Sequence, residues 1–185
     1  MKGILFFALI FISSCSAFAQ KDTTGLNIPV KDGSVVYERI AEIPGKSKAD
    51  LYKNAKQWLV DYFKNSRDVI QSEDKEDGTL VGKGILPVLF NGALGTQVVY
   101  DDKLSIQIDC KDGKYMVRIY GQTLSSPGGG QVTTTPEELI AKLMGRGWSP
   151  LNDKQARRML ESMNGEMLSA LASVNRAMTA KEDSF

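Results

Sequence analysis

An alternation of apolar and polar residues between positions 104 and 120 constrains the fold more than any other feature of this sequence. Successive side chains of a strand point to opposite faces of a sheet, so a period of two indicates strands with one buried and one hydrated face. Asp112-Gly113 interrupts the pattern and predicts a hairpin turn. A sheet covered by helices on both faces would have continuous apolar strands instead, so the sequence predicts an antiparallel sheet. The apolar members are Leu104, Ile106, Ile108, Cys110, Tyr115, Val117 and Ile119.

Turn signals elsewhere predict further strands of the same sheet. The run at 35–43 is β-rich and ends at Pro44-Gly45. A short strand near 68–72 and a longer one from 79 to about 88 flank the turn at Asp77-Gly78. The chain is therefore expected to form an α+β fold with an antiparallel sheet of about five strands. Gly82 and Gly84 share one face of the longer strand, where they would let a bulky side chain such as Trp58 approach the sheet.

Two capping sequences predict the first two helices. Ser47 and Asp50 have the spacing of a capping box and precede apolar residues at helical spacing up to about position 64. Thr135-Pro136 combines an N-cap residue with a proline at the first helical position, and that helix is expected to stop at Gly145.

A longer C-terminal helix is predicted to begin at Asn152 or Asp153. We expect its apolar stripe to pack on the chain's own sheet. Because methionine adapts to irregular partners, an exposed stripe would instead form a docking surface. The stripe consists of Ala156, Met159, Leu160, Met163, Met167, Leu171, Val174 and Met178.

The N-terminus has the order of a secretory signal peptide. Lys2 precedes an apolar run at 4–12, and Ala17-Phe18-Ala19 provides a cleavage site after Ala19. Nine apolar residues are too few to span a bilayer, which takes about 20. The alternative processing site is Cys15, since the sequence around it is similar to a bacterial lipoprotein box and would attach a lipid anchor.

These features divide the chain into five segments. We expect a signal peptide at 1–19, a flexible lead-in at 20–32, an α+β domain at 33–121, a Gly/Ser-rich loop at 122–134 and a C-terminal helical segment at 135–185 that packs on the domain. No linker to a second domain is expected.

The residue inventory argues against several kinds of chemistry. Histidine is absent and cysteine occurs twice, which leaves no imidazole base and too few ligands for a zinc cage. The acidic cluster at 73–77 lacks the ligand spacing of a calcium loop, and the glycines at 128–130 lack the lysine of a phosphate-binding loop. We therefore predict no catalytic, cofactor-binding or metal-binding residues. A net charge of +1 gives no overall attraction to nucleic acid, which we do not expect as a partner.

One stretch of sequence resembles a known family. The resemblance lies in Tyr37-Glu38-Arg39-Ile40, Ile43-Pro44-Gly45-Lys46-Ser47-Lys48, Leu51-Tyr52, Trp58 and the run at 77–84. These residues are similar to domain-of-unknown-function family 4468, a family of secreted Gram-negative bacterial proteins with a TBP-like fold. The resemblance covers roughly residues 30–121 and implies a curved antiparallel sheet with helices on one face. It implies no activity, substrate or catalytic residues.

We therefore expect an exported, noncatalytic binding or interaction module that is periplasmic or secreted. Its partner would be an envelope protein, a peptide or a glycan. Arg39, Arg118 and Tyr120 are candidate contacts, because strand alternation places them on the hydrated face. One alternative is a hydrolase with two carboxylates between the sheet and the loop at 122–134. The other is a structural subunit that docks through the methionine-rich helix.

Overall fold

The computed structural model describes residues 25–63, 69–91, 96–126 and 132–180. The predicted signal peptide and both predicted processing sites, at Ala19 and Cys15, lie outside the described residues. Within the described part of the chain, no helix has the length and apolarity needed to cross a membrane.

The described residues form eight strands and three helices, and six of the strands make one antiparallel sheet. The order in this sheet is β3-β7-β6-β5-β4, with β8 paired to β7, while β1 and β2 form a separate hairpin. The predicted α+β class and antiparallel sheet are thus confirmed, with one strand more than expected. The elements are β1 Val30–Lys31, β2 Ser34–Val35, β3 Tyr37–Glu42, α1 Lys48–Tyr62, β4 Ile70–Asp74, β5 Thr79–Asn91, β6 Gln97–Lys111, β7 Lys114–Ser125, β8 Thr133–Thr134, α2 Pro136–Leu143 and α3 Asp153–Thr179.

The sheet has one face covered by helices and one hydrated face. Every even position of β6 from Tyr100 to Cys110 is buried, whereas the odd positions are half-buried or exposed. Helices α1 and α3 pack on the buried face. We call this the inner face and the opposite one the outer face. The predicted alternation therefore sets the orientation of the sheet.

A β-bulge changes the phase of β7. Lys103 pairs with Thr123 and Ser105 pairs with Tyr120, so Leu104 alone faces both Gly121 and Gln122. Gly121 has a φ of 67°, a conformation that favours glycine. Odd positions of β7 point inward before the bulge and even positions after it. β7 then continues to Ser125, four residues into the segment expected to be a loop.

Two glycines of β5 let α1 approach the sheet closely. A Cβ atom at Gly82 would lie 3.0 Å from Leu59 Cδ2, and one at Gly84 would overlap the ring of Phe63. The predicted close approach is present, but Trp58 is not the residue that makes it. Trp58 instead lies between α1 and α3, where its indole N–H donates to Ser173 Oγ at 3.0 Å.

The apolar stripe of α3 belongs to the hydrophobic core. All eight predicted members are buried, and Met159, Met163, Met167 and Met178 have no exposed area. Asn152 is the N-cap and completes a capping box with Gln155. The methionine side chains are therefore not available as a free docking surface, and the alternative that depended on them is wrong.

The end of the predicted lead-in packs against the domain. Ile28 is 5% exposed, and Val30 pairs with Val35 across the β1-β2 hairpin. Asp32 and Gly33 both have positive φ, at 51° and 81°, which is the geometry of the two-residue turns that favour Asp-Gly. The run predicted as one strand at 35–43 is divided between β2 and β3.

Candidate functional site

Three buried polar side chains lie on the inner face of the sheet, and one of them, Thr134 of β8, donates a hydrogen bond to Glu138. Asp102 of β6 is fully buried, and Gln122 of β7 is 3% exposed. Asp102 pairs with Leu124 on β7 and with Leu86 on β5. Gln122 precedes Leu124 by two residues, so it shares a face with Asp102 on the adjacent strand. We call Asp102 and Gln122 the inner polar site.

The inner polar site has no hydrogen-bond partner in the structure. Both carboxyl oxygens of Asp102 and both polar atoms of the Gln122 side-chain amide are buried and unpartnered. Buried polar groups in folded proteins are nearly always hydrogen-bonded, and each one left without a partner costs about 1–3 kcal/mol. The four atoms lie on neighbouring strands, and this is an energetic cost that packing within the described residues does not offset.

The electrostatic environment favours the neutral form of Asp102. Burial raises the pKa of its carboxyl group from 3.8 to about 7, and the carboxylate of Glu137 on α2 adds to this rise. The backbone N–H of Thr123 acts in the opposite direction without reaching hydrogen-bond geometry with either oxygen. Burial also raises the pKa of the Tyr37 phenol above its usual range, and the charge of Asp102 contributes.

The polar groups around the inner polar site are already engaged with each other. The Tyr37 hydroxyl donates to Asn164 Oδ1 at 2.8 Å, and Asn164 Nδ2 donates to the carbonyl oxygen of Leu26 at 3.3 Å. Glu137 Oε1 accepts from the backbone N–H of Val35 at 2.6 Å. These bonds join β2, β3, α2 and α3 around the site, so its surroundings are held in place.

The three predicted contact residues do not share one surface. Arg118 and Tyr120 lie half-buried on the outer face, and Arg118 Nε donates to Glu38 Oε2 at 2.6 Å. Arg39 does not lie there. It pairs with inward-facing Val117, and its guanidinium reaches the carbonyl oxygen of Leu171 on α3 at 3.5 Å. Arg39 is exposed, but its register with β7 puts it on the inner side of an edge strand, so it does not share the outer face with Arg118 and Tyr120 as the alternation predicted.

A shallow groove along α1 is a weaker candidate. Its volume is about 690 Å³, and its lining includes Tyr52, Lys56 and Glu73. Lys56 Nζ lies 2.6 Å from Glu73 Oε2, which also accepts from the Tyr52 hydroxyl at 3.1 Å. The hydrogen bond from Lys56 lowers the pKa of Glu73, with the Tyr52 bond contributing. Lys56 and Glu73 thus already neutralise each other.

The comparisons with known proteins show what the sheet is similar to. The model of a domain of unknown function (DUF4468) with TBP-like fold matches residues 37–122. This segment is similar to that family. A crystal structure of a DUF4468 family protein from Bacteroides ovatus has a TM-score of 0.67 at 20% identity, and the match covers 87% of this chain and 95% of that one. A TBP-like protein from Parabacteroides distasonis has a TM-score of 0.69 at 19% identity, covering 84% of this chain and 99% of that one. No curated protein matches the sequence.

At these identities the two crystal structures establish the fold alone. The similarity to the Bacteroides ovatus structure extends well beyond the residues of the DUF4468 match, so the shared fold is larger than the segment that the sequence resemblance covers. Both members of the inner polar site, Asp102 and Gln122, lie within the matched residues 37–122. Glu137, whose carboxylate acts on Asp102, lies outside them.

Metal ligation and thiol chemistry are two further possibilities for a functional site. No group of three or more Asp, Glu and Cys side chains in the described residues is arranged to hold a metal ion. Cys110 is fully buried, and burial raises the pKa of its thiol to about 12, so it is not a reactive nucleophile. The predicted role of Cys110 as a small apolar core residue is confirmed.

Sequence reasoning missed the inner polar site, although one half of the signal was present. Residues two apart on a strand share a face, so the alternation that points Leu104 towards the core also points Asp102 towards it. A carboxylate in phase with an apolar strand face is an unusual buried group and could have been selected. Gln122 carries no such signal, because it turns inward only through the bulge at Gly121.

Proposed function

We propose that this chain is an exported, noncatalytic binding module of the cell envelope or the secreted fraction, and that it binds a small polar ligand at the inner polar site. One observation carries the proposal: Asp102 and Gln122 are buried on the same face of adjacent strands, and their four polar side-chain atoms have no partner. A fold that needed only stability would place apolar side chains at both positions, as it does at Leu124 and Leu104 on either side.

Ligand binding accounts for the unfavourable energy of these two residues. Each unpartnered atom lowers the stability of the free protein, whereas a ligand that bonds to these atoms removes the cost only in the complex. Binding then stabilises the folded state by an amount that grows with the logarithm of the ligand concentration relative to the dissociation constant. The hydrogen bond from Tyr37 to Asn164 and the one from the Val35 backbone to Glu137 supply the preorganisation that a small ligand requires.

A thermal-shift screen of small polar molecules tests the proposal. A true ligand is expected to raise the melting temperature of the wild-type chain and to lose that effect in Asp102→Asn and in Gln122→Leu. Asp101→Asn and Gln107→Leu are matched controls, since both residues belong to β6 and lie half-buried on the outer face. The proposal fails if every ligand that is found binds all four variants as tightly as it binds the wild type.

The same variants distinguish binding at the outer face. Arg118 and Tyr120 remain the candidate contacts for a larger partner, such as an envelope protein, a peptide or a glycan, because they lie on the face that no helix covers. Binding there is expected to be weakened by Arg118→Ala and Tyr120→Ala and to be insensitive to Asp102→Asn.

A carboxylate hydrolase is the second candidate function, and one observation favours it. Asp102 has a pKa of about 7, as a general acid requires near neutral pH, and Glu137 supplies a second carboxylate close enough to raise that pKa. A hydrolase would lose turnover in both Asp102→Asn and Glu137→Gln. A broad hydrolase screen that shows no activity at neutral and acidic pH would eliminate it and leave the binding module.

Export is tested separately from binding. Mass spectrometry of the mature chain is expected to find an N-terminus at Gln20, after cleavage behind Ala19. A lipid-modified Cys15 would instead support anchoring to the envelope. An intact N-terminus in the cytosolic fraction would contradict export altogether.

A further inference from the structure

The donors and acceptors of the inner polar site restrict what it can bind. Three of the four unpartnered atoms are acceptor oxygens when Asp102 is ionised, namely Oδ1 and Oδ2 of Asp102 and Oε1 of Gln122. The fourth is the amide nitrogen of Gln122, which donates. A primary ammonium group carries three N–H donors and no acceptor, so it matches the three oxygens. A neutral oxygen next to the ammonium would then accept from the Gln122 amide nitrogen.

The charges around the site favour the same ligand. The carboxylate of Glu137 acts on Asp102 from α2. The field of this carboxylate at Asp102 attracts a cation and repels an additional anion. An ammonium group bound here would also neutralise the ionised Asp102, which could not otherwise remain buried without large cost.

We infer that the inner polar site binds a primary ammonium group that has a neutral oxygen atom beside it, the arrangement found in small amino alcohols and in amino sugars. The inference rests on the proposed function, and it names the class of ligand. A free amino acid is disfavoured, because its carboxylate would lie near Asp102 and Glu137.

Isothermal titration calorimetry with three probes of similar size tests this assignment. Ethanolamine has the ammonium and the neutral oxygen, ethylene glycol lacks the charge, and glycine adds a carboxylate. Ethanolamine is expected to bind the full wild-type chain at least about tenfold more tightly than either of the others, in line with the strength of charge-assisted hydrogen bonds. Glucosamine presents the same pair of groups on a sugar ring. Comparison of its affinity with that of ethanolamine identifies whether the site accepts amino sugars or small amino alcohols.

The variants give a readout that a purely structural role would not produce. Asp102→Asn is expected to weaken ethanolamine binding by about tenfold or more, whereas Asp101→Asn leaves it unchanged. Ethanolamine binding to the wild type is expected to weaken by about tenfold for each pH unit below pH 7, since a proton must leave Asp102 before the cation binds. Asp102→Asn should abolish this pH dependence. Gln122→Leu provides a second variant should Asp102→Asn fail to fold.

The outcomes separate this inference from the proposed function. Equal binding of ethylene glycol and ethanolamine, with loss of both in Asp102→Asn, would overturn the ammonium assignment and leave a ligand site at Asp102. Ethanolamine binding that is unchanged in Asp102→Asn and Gln122→Leu would overturn the assignment of the site. A further outcome is that the thermal-shift screen identifies another ligand whose binding depends on Asp102. If ethanolamine and glucosamine then give no heat of binding at the concentrations used in that screen, the ammonium assignment is overturned as well.

Discussion

Substituting Asp102 by asparagine should make the free protein less sensitive to pH. Asparagine keeps the size of the side chain and removes its ionisation. In the wild-type chain, burial and the charge of Glu137 raise the pKa of Asp102 from 3.8 to about 7. Between these two values the folded state therefore holds a proton that the unfolded chain has already lost.

The size of the effect follows from that difference in pKa. At 1.36 kcal/mol for each pKa unit, the rise from 3.8 to about 7 corresponds to a free energy of unfolding lower by about 4 kcal/mol once Asp102 is ionised in both states. This lowering of the free energy of unfolding is absent below about pH 4 and reaches nearly its full size at about pH 8. Relative to the wild type, Asp102→Asn should gain about 3 kcal/mol between about pH 5 and pH 8. The asparagine side chain of the variant also lacks a hydrogen-bond partner, and this lowers the free energy of unfolding of the variant by the same amount at every pH.

Urea unfolding followed by the fluorescence of Trp58, which is buried in the native state, measures this gain. A difference of about 3 kcal/mol moves the midpoint by about 1–3 M urea, well within the precision of the method. Asp101→Asn, on the outer face of the same strand, should follow the pH dependence of the wild type. Parallel stability curves for Asp102→Asn and the wild type from pH 5 to pH 8 would refute the claim that Asp102 is buried and unpartnered.

Three further predictions concern the core. Gly84→Ala should lower the free energy of unfolding by about 1–3 kcal/mol in urea titrations, because its Cβ would overlap the ring of Phe63; an unchanged midpoint would contradict this close approach. Met163→Ala should cost about 2–5 kcal/mol by the same assay, whereas Leu168→Ala, at a position 53% exposed, should cost less than about 1 kcal/mol. Cys110 should resist thiol labelling at neutral pH until the chain is unfolded, as read by peptide mapping, and rapid native labelling would disprove its burial.

Much of the fold could be predicted because strong local patterns agreed with the final packing. The alternation at 104–120 identified the buried face, and the capping boxes at Ser47 and Thr135 are both present. The stripe of α3 is buried throughout because spacings of three and four residues keep one side of a helix on the sheet. In these segments, local preference and tertiary contact favour the same structure.

The errors lie where pairing between distant strands decides the outcome. From hydrophobicity alone, Ile40 would be expected on the inner face of β3 and Arg39 on the outer face. The structure has the reverse, since Ile40 is exposed and Arg39 lies on the side of α3. An edge strand is held by one neighbour, and its register against Val117 determines which side chains face the helices. The β1-β2 hairpin is a different kind of miss, because Asp32-Gly33 is the same turn signal as Asp112-Gly113 and was available in the sequence.

The inner polar site depends on the bulge at Gly121. Had β7 kept its alternation beyond Ile119, Gly121 would point inward and Gln122 would point into solvent. The extra residue reverses this order, so that Gln122 and Leu124 both face the helices and Gln122 lies beside Asp102. A bulge with a glycine at positive φ is a local irregularity of the kind that re-aims side chains near functional sites. Stability alone gives no reason to turn an unpartnered amide into the core, whereas a ligand that bonds to it does.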